Sequence, residues 1–260
     1  MKILMLTGGS SGIGEITARM FVASGYKVYE LSRHGKDHGN ITHIDCDITD
    51  RCACNEAVKA VIEESGRIDV LINNAGMGIS GAIEFTDINE AKRQFDVNFF
   101  GAVNVTQAVI PYMRTAKEGR IIFVSSLAAE FPIPFQGFYS ASKAAVNCMA
   151  CALRNELEPF GISVSCMLPG DVKTNFTSAR AKSSAGSDVY TRMNRAVETM
   201  EHDEQHGISS GQIARKLLKM ARTKKPGVYY TTGLKYHAIM LLNKLLPKTF
   251  VINVIRSIYG

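Results

Sequence analysis

Short apolar segments alternate with helical stretches along most of the chain. Each segment is five to seven residues long and mostly apolar, which is typical of strands buried on both faces of a parallel sheet. The alternation with helices and the short connections predict a doubly wound α/β fold. We therefore expect a single Rossmann-type domain with a parallel sheet of about seven strands, at residues 2–6, 27–31, 41–46, 68–72, 120–125, 162–168 and 227–231.

Apolar positions three and four residues apart indicate the helices between these strands. Asp50 is expected to cap a helix that runs to about Ser65, because an N-cap carboxylate accepts hydrogen bonds from the first helical amides. Residues 175–207 are polar and only partly helical, and we interpret them as a substrate loop within a catalytic domain of residues 1–233. Other helices are predicted near residues 16–24, 87–113, 139–160 and 209–222.

Residues 234–260 form a C-terminal extension that Pro247 divides into two short amphipathic helices. Thr249 can cap the second helix, whose apolar residues fall at i, i+3, i+4 and i+7: Val251, Val254, Ile255 and Ile258. Residues 205–260 also hold 10 Lys and Arg and no Asp or Glu, in a chain whose total charge is +6. One interpretation is that the extension covers the substrate pocket and rests on an anionic membrane. The other is that it packs on the subunit's own core or across a dimer.

A glycine-rich stretch, Thr7-Gly-Gly-Ser-Ser-Gly-Ile-Gly14, follows the first strand and opens the first helix. In this context such a turn binds the pyrophosphate of a dinucleotide, because glycines let backbone amides approach the phosphates. Gly8 allows the tight turn, Gly12 allows the backbone to approach the phosphates closely, and Gly14 allows the helix to pack against the sheet. The spacing of these glycines differs from the G-x-G-x-x-G pattern. The predicted phosphate-binding residues are Gly8, Ser10, Ser11, Gly12, Ile13 and Gly14.

The end of the second strand, Ser32-Arg33, predicts the choice of cofactor. A hydroxyl followed by arginine suits the 2′-phosphate of NADP(H), whereas NAD-dependent proteins usually place an acidic residue there. Glu30 lies too early in the strand for that role. Arg33 could instead be an ordinary surface arginine. Beyond the third strand, Asp47, next to Ile48, could accept a hydrogen bond from the adenine amine or only stabilise the turn before the next helix.

Tyr139 and Lys143 lie four residues apart at the start of a predicted helix, so their side chains share one face. A nearby ammonium stabilises phenolate, which would lower the pKa of Tyr139 and suit it to give a proton to a carbonyl oxygen. The alternative is an exposed tyrosine and lysine with no chemical role.

Asn98 lies in an apolar helix and needs hydrogen-bond partners there, so it is either a structural or a functional residue.

The chain resembles the short-chain dehydrogenase/reductase family, in its single-domain form, along nearly its whole length. Residues 95–114 are similar to the branch that includes 17β-hydroxysteroid dehydrogenases, retinol dehydrogenases and acyl-dihydroxyacetone-phosphate reductases. The motifs that carry the resemblance are Thr7-Gly8-x-x-x-Gly12-x-Gly14, Asn73-Asn74-Ala75-Gly76, Asn98, Ser126, Tyr139-x-x-x-Lys143 and Pro169-Gly170-x-Val172-x-Thr174.

The resemblance implies catalytic roles for four residues. Tyr139 is the general acid in reduction and the base in oxidation, and Lys143 lowers its pKa and holds the nicotinamide ribose. Ser126 donates to the substrate oxygen, and Asn98 holds a water linked to Lys143. Side chains alternate between the two faces of a strand, so the neighbouring Ser125 points away from the substrate and Ser126 is the expected donor. No metal is implied, and the contacts implied for the cofactor, NADP(H), include Tyr139, Lys143, Asn74, Ala75, Gly76, Pro169, Gly170, Val172 and Thr174.

The segments expected at the substrate pocket are apolar, which suits a hydrophobic substrate such as a steroid, a retinoid or a lipid ketone. They are residues 77–79, 127–129, 131–138 and Phe176, although Phe131, Phe135 and Phe138 could instead be core or interface residues. The sequence therefore predicts an NADP(H)-dependent oxidoreductase that interconverts a ketone or aldehyde and an alcohol. The alternative is a non-catalytic NADPH-binding sensor or scaffold, against which the complete Ser126, Tyr139 and Lys143 set argues.

Composition adds expectations about setting and partners. Six scattered cysteines form neither a disulfide framework nor a zinc motif, the first strand leaves no room for a signal peptide, and no uncharged apolar run reaches about 18 residues. We therefore expect a cytoplasmic protein, with peripheral membrane contact as an open question. The family resemblance makes a homodimer or homotetramer, assembled through residues 98–115 and 139–160, the expected state. Nucleic acid is not an expected partner, because apolar residues dominate the basic C-terminal region.

Overall fold

The computed structural model describes residues 1–259 and contains one seven-stranded parallel sheet. The seven predicted strands are confirmed, each with ends within two residues of the prediction. Four further strands, β5, β8, β9 and β10, are two-residue segments that pair outside this sheet. In chain order the strands are β1 (Lys2–Thr7), β2 (Tyr26–Ser32), β3 (Ile41–Asp45), β4 (Val70–Asn73), β5 (Ile79–Ser80), β6 (Gly119–Val124), β7 (Ile162–Met167), β8 (Val172–Lys173), β9 (Ala181–Lys182), β10 (Ile208–Ser209) and β11 (Tyr229–Tyr230).

Ten α-helices accompany the strands over residues 1–259. They are α1 (Gly12–Ala23), α2 (Arg51–Ser65), α3 (Ile88–Phe95), α4 (Ala102–Ala116), α5 (Gly137–Leu157), α6 (Phe176–Ala179), α7 (Met193–Gln205), α8 (Ser210–Arg222), α9 (Leu234–Leu245) and α10 (Lys248–Tyr259). The predicted cap of α2 is confirmed, because Asp50 Oδ1 accepts from the backbone amides of Cys52 at 2.7 Å and Ala53 at 3.2 Å.

The order of strands in the sheet is β3-β2-β1-β4-β6-β7-β11. The chain moves outward from β1 to β3, then returns to the other side of β1 and continues from β4 to β11. Neighbouring strands are all parallel, so their carboxyl ends lie along one edge of the sheet. A crevice opens at this edge where the order reverses, between β1 and β4, and ligands of such folds bind there.

Helices cover both faces of the sheet, and alternate residues of each strand face opposite layers. Met5 and Ile121 point into one core with residues of α2, α4 and α5. Leu4 and Ile122 point into the other core, where Phe21 of α1 packs with residues of α8. Burial on both faces explains why the strands are mostly apolar rather than alternating between apolar and polar.

Two local features of the helices differ from the sequence prediction. The helix predicted near residues 87–113 is divided by a π-helical segment, Asp96–Gly101, that joins α3 to α4. The prediction that Thr249 caps the last helix is wrong: α10 already begins at Lys248. The amides of Phe250 and Val251 donate to the carbonyl of Pro247, so Thr249 lies within the first turn.

The polar segment after β8 and the C-terminal extension pack together beside the sheet. The segment contains α6 and α7, and α10 packs against α7. The side chain of Tyr236 anchors α9, because its hydroxyl accepts from the Asp171 amide at 3.0 Å and donates to Asp171 Oδ2 at 2.7 Å. In residues 1–259 we find no helix with both the length and the apolar character needed to cross a membrane.

Candidate active site

The carboxyl edge of the sheet opens into a cleft of about 1070 Å³. Most of the predicted site residues line it, whereas Gly14 and Asn98 lie behind its wall. The predicted residues in the lining are Gly8, Ser10, Ser11, Gly12, Ile13, Ser32, Arg33, Asp47, Ile48, Asn74, Ala75, Gly76, Ser126, Tyr139, Lys143, Pro169, Gly170, Val172 and Thr174.

The glycine-rich turn between β1 and α1 has the form of a phosphate cradle. Gly8 and Gly12 adopt positive φ angles of 67° and 55°, which other residues rarely tolerate. A Cβ on Gly14 would lie 2.0 Å from the carbonyl oxygen of Gly8, so only glycine fits there. Ser11, the N-cap of α1, makes no side-chain capping bond. The Ser11 side chain therefore leaves the first amides of α1 without a cap. An anion-binding helix N-terminus requires such uncapped amides.

The segment that follows β4 is tied to the same turn. The amides of Asn74 and Ala75 each donate to Thr7 Oγ1 at 3.0 Å. Asn74 Nδ2 donates to the carbonyl oxygens of Thr7 at 3.1 Å and Gly8 at 3.0 Å. These bonds fix the two walls of the crevice relative to each other, so that a dinucleotide would meet a preformed site.

The far end of the cleft is formed by the ends of β2 and β3. Ser32 Oγ lies 3.0 Å from the backbone oxygen of His34 and 3.1 Å from Glu30 Oε1, so its single hydroxyl proton is shared between these two acceptors. Glu30 is buried and its Oε1 lies 2.5 Å from His43 Nδ1, so this carboxylate does not line the cleft. Arg33 is exposed at the cleft wall.

Asp47 stabilises the turn before α2, which is one of the two roles considered for it. Its Oδ1 accepts from the amide of Thr49 at 2.9 Å and from Thr49 Oγ1 at 2.8 Å. Burial would raise the pKa of Asp47, but these bonds and the charge of Arg33 outweigh burial and lower it. The carboxylate therefore stays ionised within the field of Arg33, and its contact with adenine stays a prediction.

Ser126, Tyr139 and Lys143 meet at one wall of the cleft. Ser126 Oγ accepts from the amide of Ala128 at 3.1 Å, whereas the hydroxyl of Ser125 donates to the backbone oxygen of Lys143 on the opposite side. Lys143 is buried; its Nζ donates to the carbonyl of Val124 at 2.9 Å and lies 5.9 Å from the centre of the Tyr139 ring. Lys143 is therefore not an exposed surface residue, whereas the chemical role of the pair stays a prediction.

Burial dominates the protonation of this pair. It raises the pKa of Tyr139 to about 12, although the Ser126 hydroxyl acts to lower it. Burial also lowers the pKa of Lys143 to about 8. The expectation that Lys143 would lower the pKa of Tyr139 is thus not met in this state, because the desolvation of phenolate outweighs its stabilisation by neighbouring groups.

Asn98 lies in the π-helical segment and is fully buried. Its Oδ1 accepts from the amide of Met77 at 2.8 Å, and its Nδ2 donates to the carbonyl of Met77 and to Ser142 Oγ, each at 3.0 Å. Gly76 separates it from Lys143: a Cβ there would lie 3.2 Å from Asn98 Oδ1 and 3.3 Å from Lys143 Nζ. Asn98 therefore joins the segment after β4 to α5, and the water contact implied for it stays a prediction.

The remaining walls of the cleft are mostly apolar. Phe131 and Phe176 line it as predicted, but Phe135 and Phe138 do not. Phe135 instead packs against Tyr190, with ring centres 6.1 Å apart. The C-terminal extension closes one side through Ile239, Leu242, Leu246, Phe250, Val251, Val254, Ile255 and Ile258.

Sequence reasoning missed a polar group in this wall. Gln136 and Glu204 line the cleft, and Glu204 is paired with the buried Arg180. These residues come from three separate segments, so no spacing along the chain indicates that they meet. Among residues 1–259, no group of three or more His, Cys, Asp or Glu side chains is placed to hold a metal ion.

The sequence of residues 2–185 matches the short chain dehydrogenase family, and the chain belongs to that family of oxidoreductases. Over 229 residues it is 41% identical to a 3-ketodihydrosphingosine reductase from Bacteroides thetaiotaomicron, covering 86% of this chain and 85% of that protein. A probable short-chain type dehydrogenase/reductase from Helicobacter pylori is 34% identical over 98% of this chain and 96% of its own length.

Solved structures agree on the fold. A short-chain dehydrogenase from Streptomyces avermitilis superposes with a TM-score of 0.83 at 27% sequence identity, over 94% of both chains. The seven-stranded sheet with helices on both faces is thus the fold of this family, and the resemblance inferred from the motifs is confirmed. The enzyme class, oxidoreductases acting on alcohol and carbonyl groups, follows from this membership.

Proposed function

We propose that the protein is an NADP(H)-dependent reductase of a hydrophobic, lipid-like ketone, with Tyr139 as the general acid. The observation that carries the proposal is the meeting of Ser126, Tyr139 and Lys143 at a wall of a largely apolar cleft. The glycine cradle at the other end suits a pyrophosphate, because Gly8 and Gly12 line it with positive φ angles and the Ser11 side chain makes no capping bond to the first amides of α1. Proton donors and a dinucleotide cradle within one cleft are what carbonyl reduction requires.

The chain's own residues supply the proton and hold the carbonyl oxygen. When bound, NADPH would supply the hydride that the carbonyl carbon accepts. Ser126 and Tyr139 donate hydrogen bonds to the carbonyl oxygen, and the Tyr139 proton passes to that oxygen as negative charge develops on it. Lys143, with a pKa of about 8, is positioned to carry positive charge next to the phenol and to restore its proton. In the reverse direction the Tyr139 phenolate accepts the alcohol proton.

The preference for NADP(H) is assigned to Arg33 with help from Ser32. The two residues line the end of the cleft where the adenosine ribose would lie, and the nearby carboxylate, Glu30, is turned into the protein. The other residues that would hold the cofactor are those of the glycine cradle, Asp47 and Ile48, the segment 74–76, Tyr139, Lys143, and the turn formed by Pro169, Gly170, Val172 and Thr174.

The substrate we propose is a long-chain ketone. Two features support it: the apolar side chains of the C-terminal extension line the cleft, and the related protein from Bacteroides thetaiotaomicron is a 3-ketodihydrosphingosine reductase. Residues 175–207 would act as the substrate loop, because Phe176, Ala179, Asp203 and Glu204 line the cleft. We also propose that residues 1–233 form the catalytic part of the domain and that the C-terminal extension belongs to the same domain.

NADPH oxidation, followed by absorbance with a panel of steroid, retinoid and long-chain ketones and aldehydes, tests the proposal. We expect turnover to be fastest with a long-chain lipid ketone. NADPH binding without turnover of any member would instead favour the non-catalytic sensor or scaffold. Turnover confined to small polar ketones would contradict the substrate class.

We also propose that the C-terminal extension contacts an anionic membrane. Leu242, Phe250, Val254 and Ile258 line the cleft and are also exposed, so they form an apolar rim at its mouth. Residues 205–259 contribute only basic charges. Apolar side chains beside basic ones bind the surface of anionic lipid bilayers. A hydrophobic substrate would then reach the rim directly from the bilayer. The other possible cover is a second copy of the chain.

Self-association through α4 and α5 remains part of the proposal. Phe100, in the π-helical segment before α4, and Tyr112 on α4 are exposed aromatic residues, as interfaces often present. Light scattering of the purified protein should give the mass of a dimer or tetramer, and the mass of one chain would contradict it.

A further inference from the structure

A buried carboxylate lies behind the end of the cleft to which we assign the adenosine ribose. Glu30 is 3% exposed and does not line the cleft. On β2 it lies two residues before Ser32, so both side chains point to the same face of the sheet. Its neighbour on β3 is His43. Burial of a carboxylate costs free energy unless its hydrogen-bond partners are complete, so the partners of Glu30 show what this carboxylate can do.

The hydrogen bonds to Glu30 fall on one of its two oxygens. Oε1 lies 2.5 Å from His43 Nδ1 and 3.1 Å from Ser32 Oγ, and both partners have a proton to offer to a carboxylate. Oε2 is buried and has no hydrogen-bond partner among residues 1–259. A Cβ on Gly9 would lie 3.0 Å from Oε2, so this oxygen faces the underside of the glycine turn. The negative charge of Glu30 is thus directed toward the turn that a dinucleotide would cross.

The loop after β2 closes over Glu30 and His43. A Cβ on Gly35 would overlap both Glu30 Oε1 and His43 Nδ1, so the backbone of this loop passes directly against the two side chains. Glu30 therefore cannot touch a ligand in the cleft itself. Of its two hydrogen-bond partners, Ser32 lines the cleft and His43 does not. Glu30 can act on a bound cofactor only through the Ser32 hydroxyl or through the field of its own charge.

The Ser32 hydroxyl has one proton, and the two forms of the cofactor make opposite demands on it. A ribose 2′-hydroxyl can donate to Ser32 Oγ, which then keeps its own proton on Glu30 Oε1. A 2′-phosphate accepts hydrogen bonds, so Ser32 would have to turn its proton away from Glu30. A phosphate oxygen bonded to Ser32 Oγ would also lie within about 6 Å of Glu30 Oε1, because these two side-chain oxygens are 3.1 Å apart. Like charges repel at that range, so both effects favour the hydroxyl over the phosphate.

We propose that Glu30 is a positioning residue through which the site accepts NAD(H) as well as NADP(H). It holds Ser32 Oγ ready to accept from the 2′-hydroxyl of the adenosine ribose, in a chain of hydrogen bonds that ends on a buried carboxylate. Arg33 favours the 2′-phosphate and Glu30 opposes it, so the selectivity of the site is the balance of these two residues. The inference rests on the proposed binding of a nicotinamide dinucleotide in the cleft and adds which forms of that cofactor the site admits.

Fluorescence titration with NADH and with NADPH tests the inference, because it measures Kd in the absence of any substrate. The proteins compared are the wild type, Glu30→Gln and Glu64→Gln. We expect Glu30→Gln to raise the Kd for NADH about 5-fold or more, because the chain of hydrogen bonds loses its charged end. The same variant should bind NADPH at least as tightly as the wild type does. Glu64 is the matched control: it pairs with Lys27 at the other end of β2 and does not line the cleft, so Glu64→Gln should change neither Kd.

Ser32→Ala checks the route by which Glu30 acts. In this background Glu30→Gln should change the Kd for NADH by no more than about 2-fold, because the hydroxyl that joins Glu30 to the ribose has been removed. A loss as large as the one seen with Ser32 in place would overturn the inference. An equal loss of affinity for NADH and NADPH in Glu30→Gln would also overturn it, since that result indicates a purely structural role.

If Glu30→Gln does not fold, the wild type alone decides. NADH that lacks the adenosine 2′-hydroxyl should bind about 5-fold or more weakly than NADH, and equal binding of the two overturns the inference. Wild-type protein that binds NADPH but not NADH overturns it as well. Failure of the proposed function is a separate result: the absence of turnover with every ketone would overturn the reduction and leave these Kd values unchanged.

Discussion

Lys143 is a buried ammonium group at the wall of the cleft, and its pKa of about 8 lies well below the value of about 10.4 expected in the unfolded chain. Between these two values the unfolded state binds more protons than the folded state. The stability of the folded protein therefore carries a penalty from Lys143 at neutral pH, and the penalty is relieved as the pH rises from about 8 to about 10.4. The residue to which we assign proton transfer thus lowers the stability of the folded protein at neutral pH.

This linkage predicts how Lys143→Met differs from the wild type. Methionine does not titrate, so the free energy of unfolding of the wild type should increase relative to the variant by about 2 kcal/mol between pH 8 and pH 10. Urea unfolding of both proteins at each pH measures this difference, in which other titrating groups cancel. A difference that stays constant over the range would contradict the buried, titrating lysine.

Arg33→Ala tests cofactor choice. Loss of a charge-assisted contact with the 2′-phosphate should lower kcat/KM for NADPH about 10- to 100-fold and leave NADH nearly unchanged. Lys36→Ala is the control, because Lys36 is exposed in the same loop but does not line the cleft. Equal use of both cofactors by the wild type would show that Arg33 is an ordinary surface residue.

Residues in motifs were predictable because local spacing carries their geometry. The glycine cradle depends on one turn, and the Tyr139–Lys143 pair depends on one face of a helix. Both can therefore be located from a few neighbouring residues of the sequence. The raised pKa of Tyr139 was not predictable, because it depends on how deeply the surrounding elements bury the phenol. The pairing of Arg180 with Glu204 joins polar segments 24 residues apart, and no periodicity indicates it.

At the scale of elements, the apolar stripe of α10 is divided between two environments. Val251 and Ile255 are buried, whereas Val254 and Ile258 of the same predicted stripe remain exposed at the cleft mouth. Periodicity predicted the helix but could not decide what covers each side, because neighbours in space determine that. The π-helical segment around Asn98 was also missed, since its one-residue widening barely disturbs an apolar pattern.

The membrane proposal is tested at this scale with Leu241→Asn combined with Leu245→Asn, two exposed residues of α9. We expect the wild type to co-sediment with anionic vesicles at low salt and to dissociate at high salt, because basic residues contribute to the attraction. The double variant should stay in the supernatant. Val189→Asn, which replaces an exposed apolar residue outside the extension, should bind as the wild type does.

Wild-type protein that stays in the supernatant at low salt would contradict membrane contact. If light scattering also shows that the double variant loses self-association, a second copy of the chain covers the rim instead. A double variant that still binds vesicles would place the membrane contact elsewhere on the basic surface.

At the scale of the molecule, the order of strands brings distant motifs to one edge. Four parts of the site lie at the carboxyl ends of parallel strands: the glycine turn after β1, the segment after β4, Ser126 after β6 and the turn after β7. This convergence was predictable from the alternation of strands and helices. The depth and lining of the cleft were not, because they depend on how residues 175–207 and the C-terminal extension pack across its mouth.

We propose above all that this cleft reduces a lipid-like ketone with Tyr139 as proton donor. The most direct measurement is NADPH oxidation with a long-chain ketone by the wild type and by Tyr139→Phe, together with NADPH binding by fluorescence. We predict that kcat falls by about 10²–10⁴-fold in the variant while NADPH still binds, because only the hydroxyl is removed. Retention of more than about a tenth of the wild-type kcat would contradict the assignment of Tyr139.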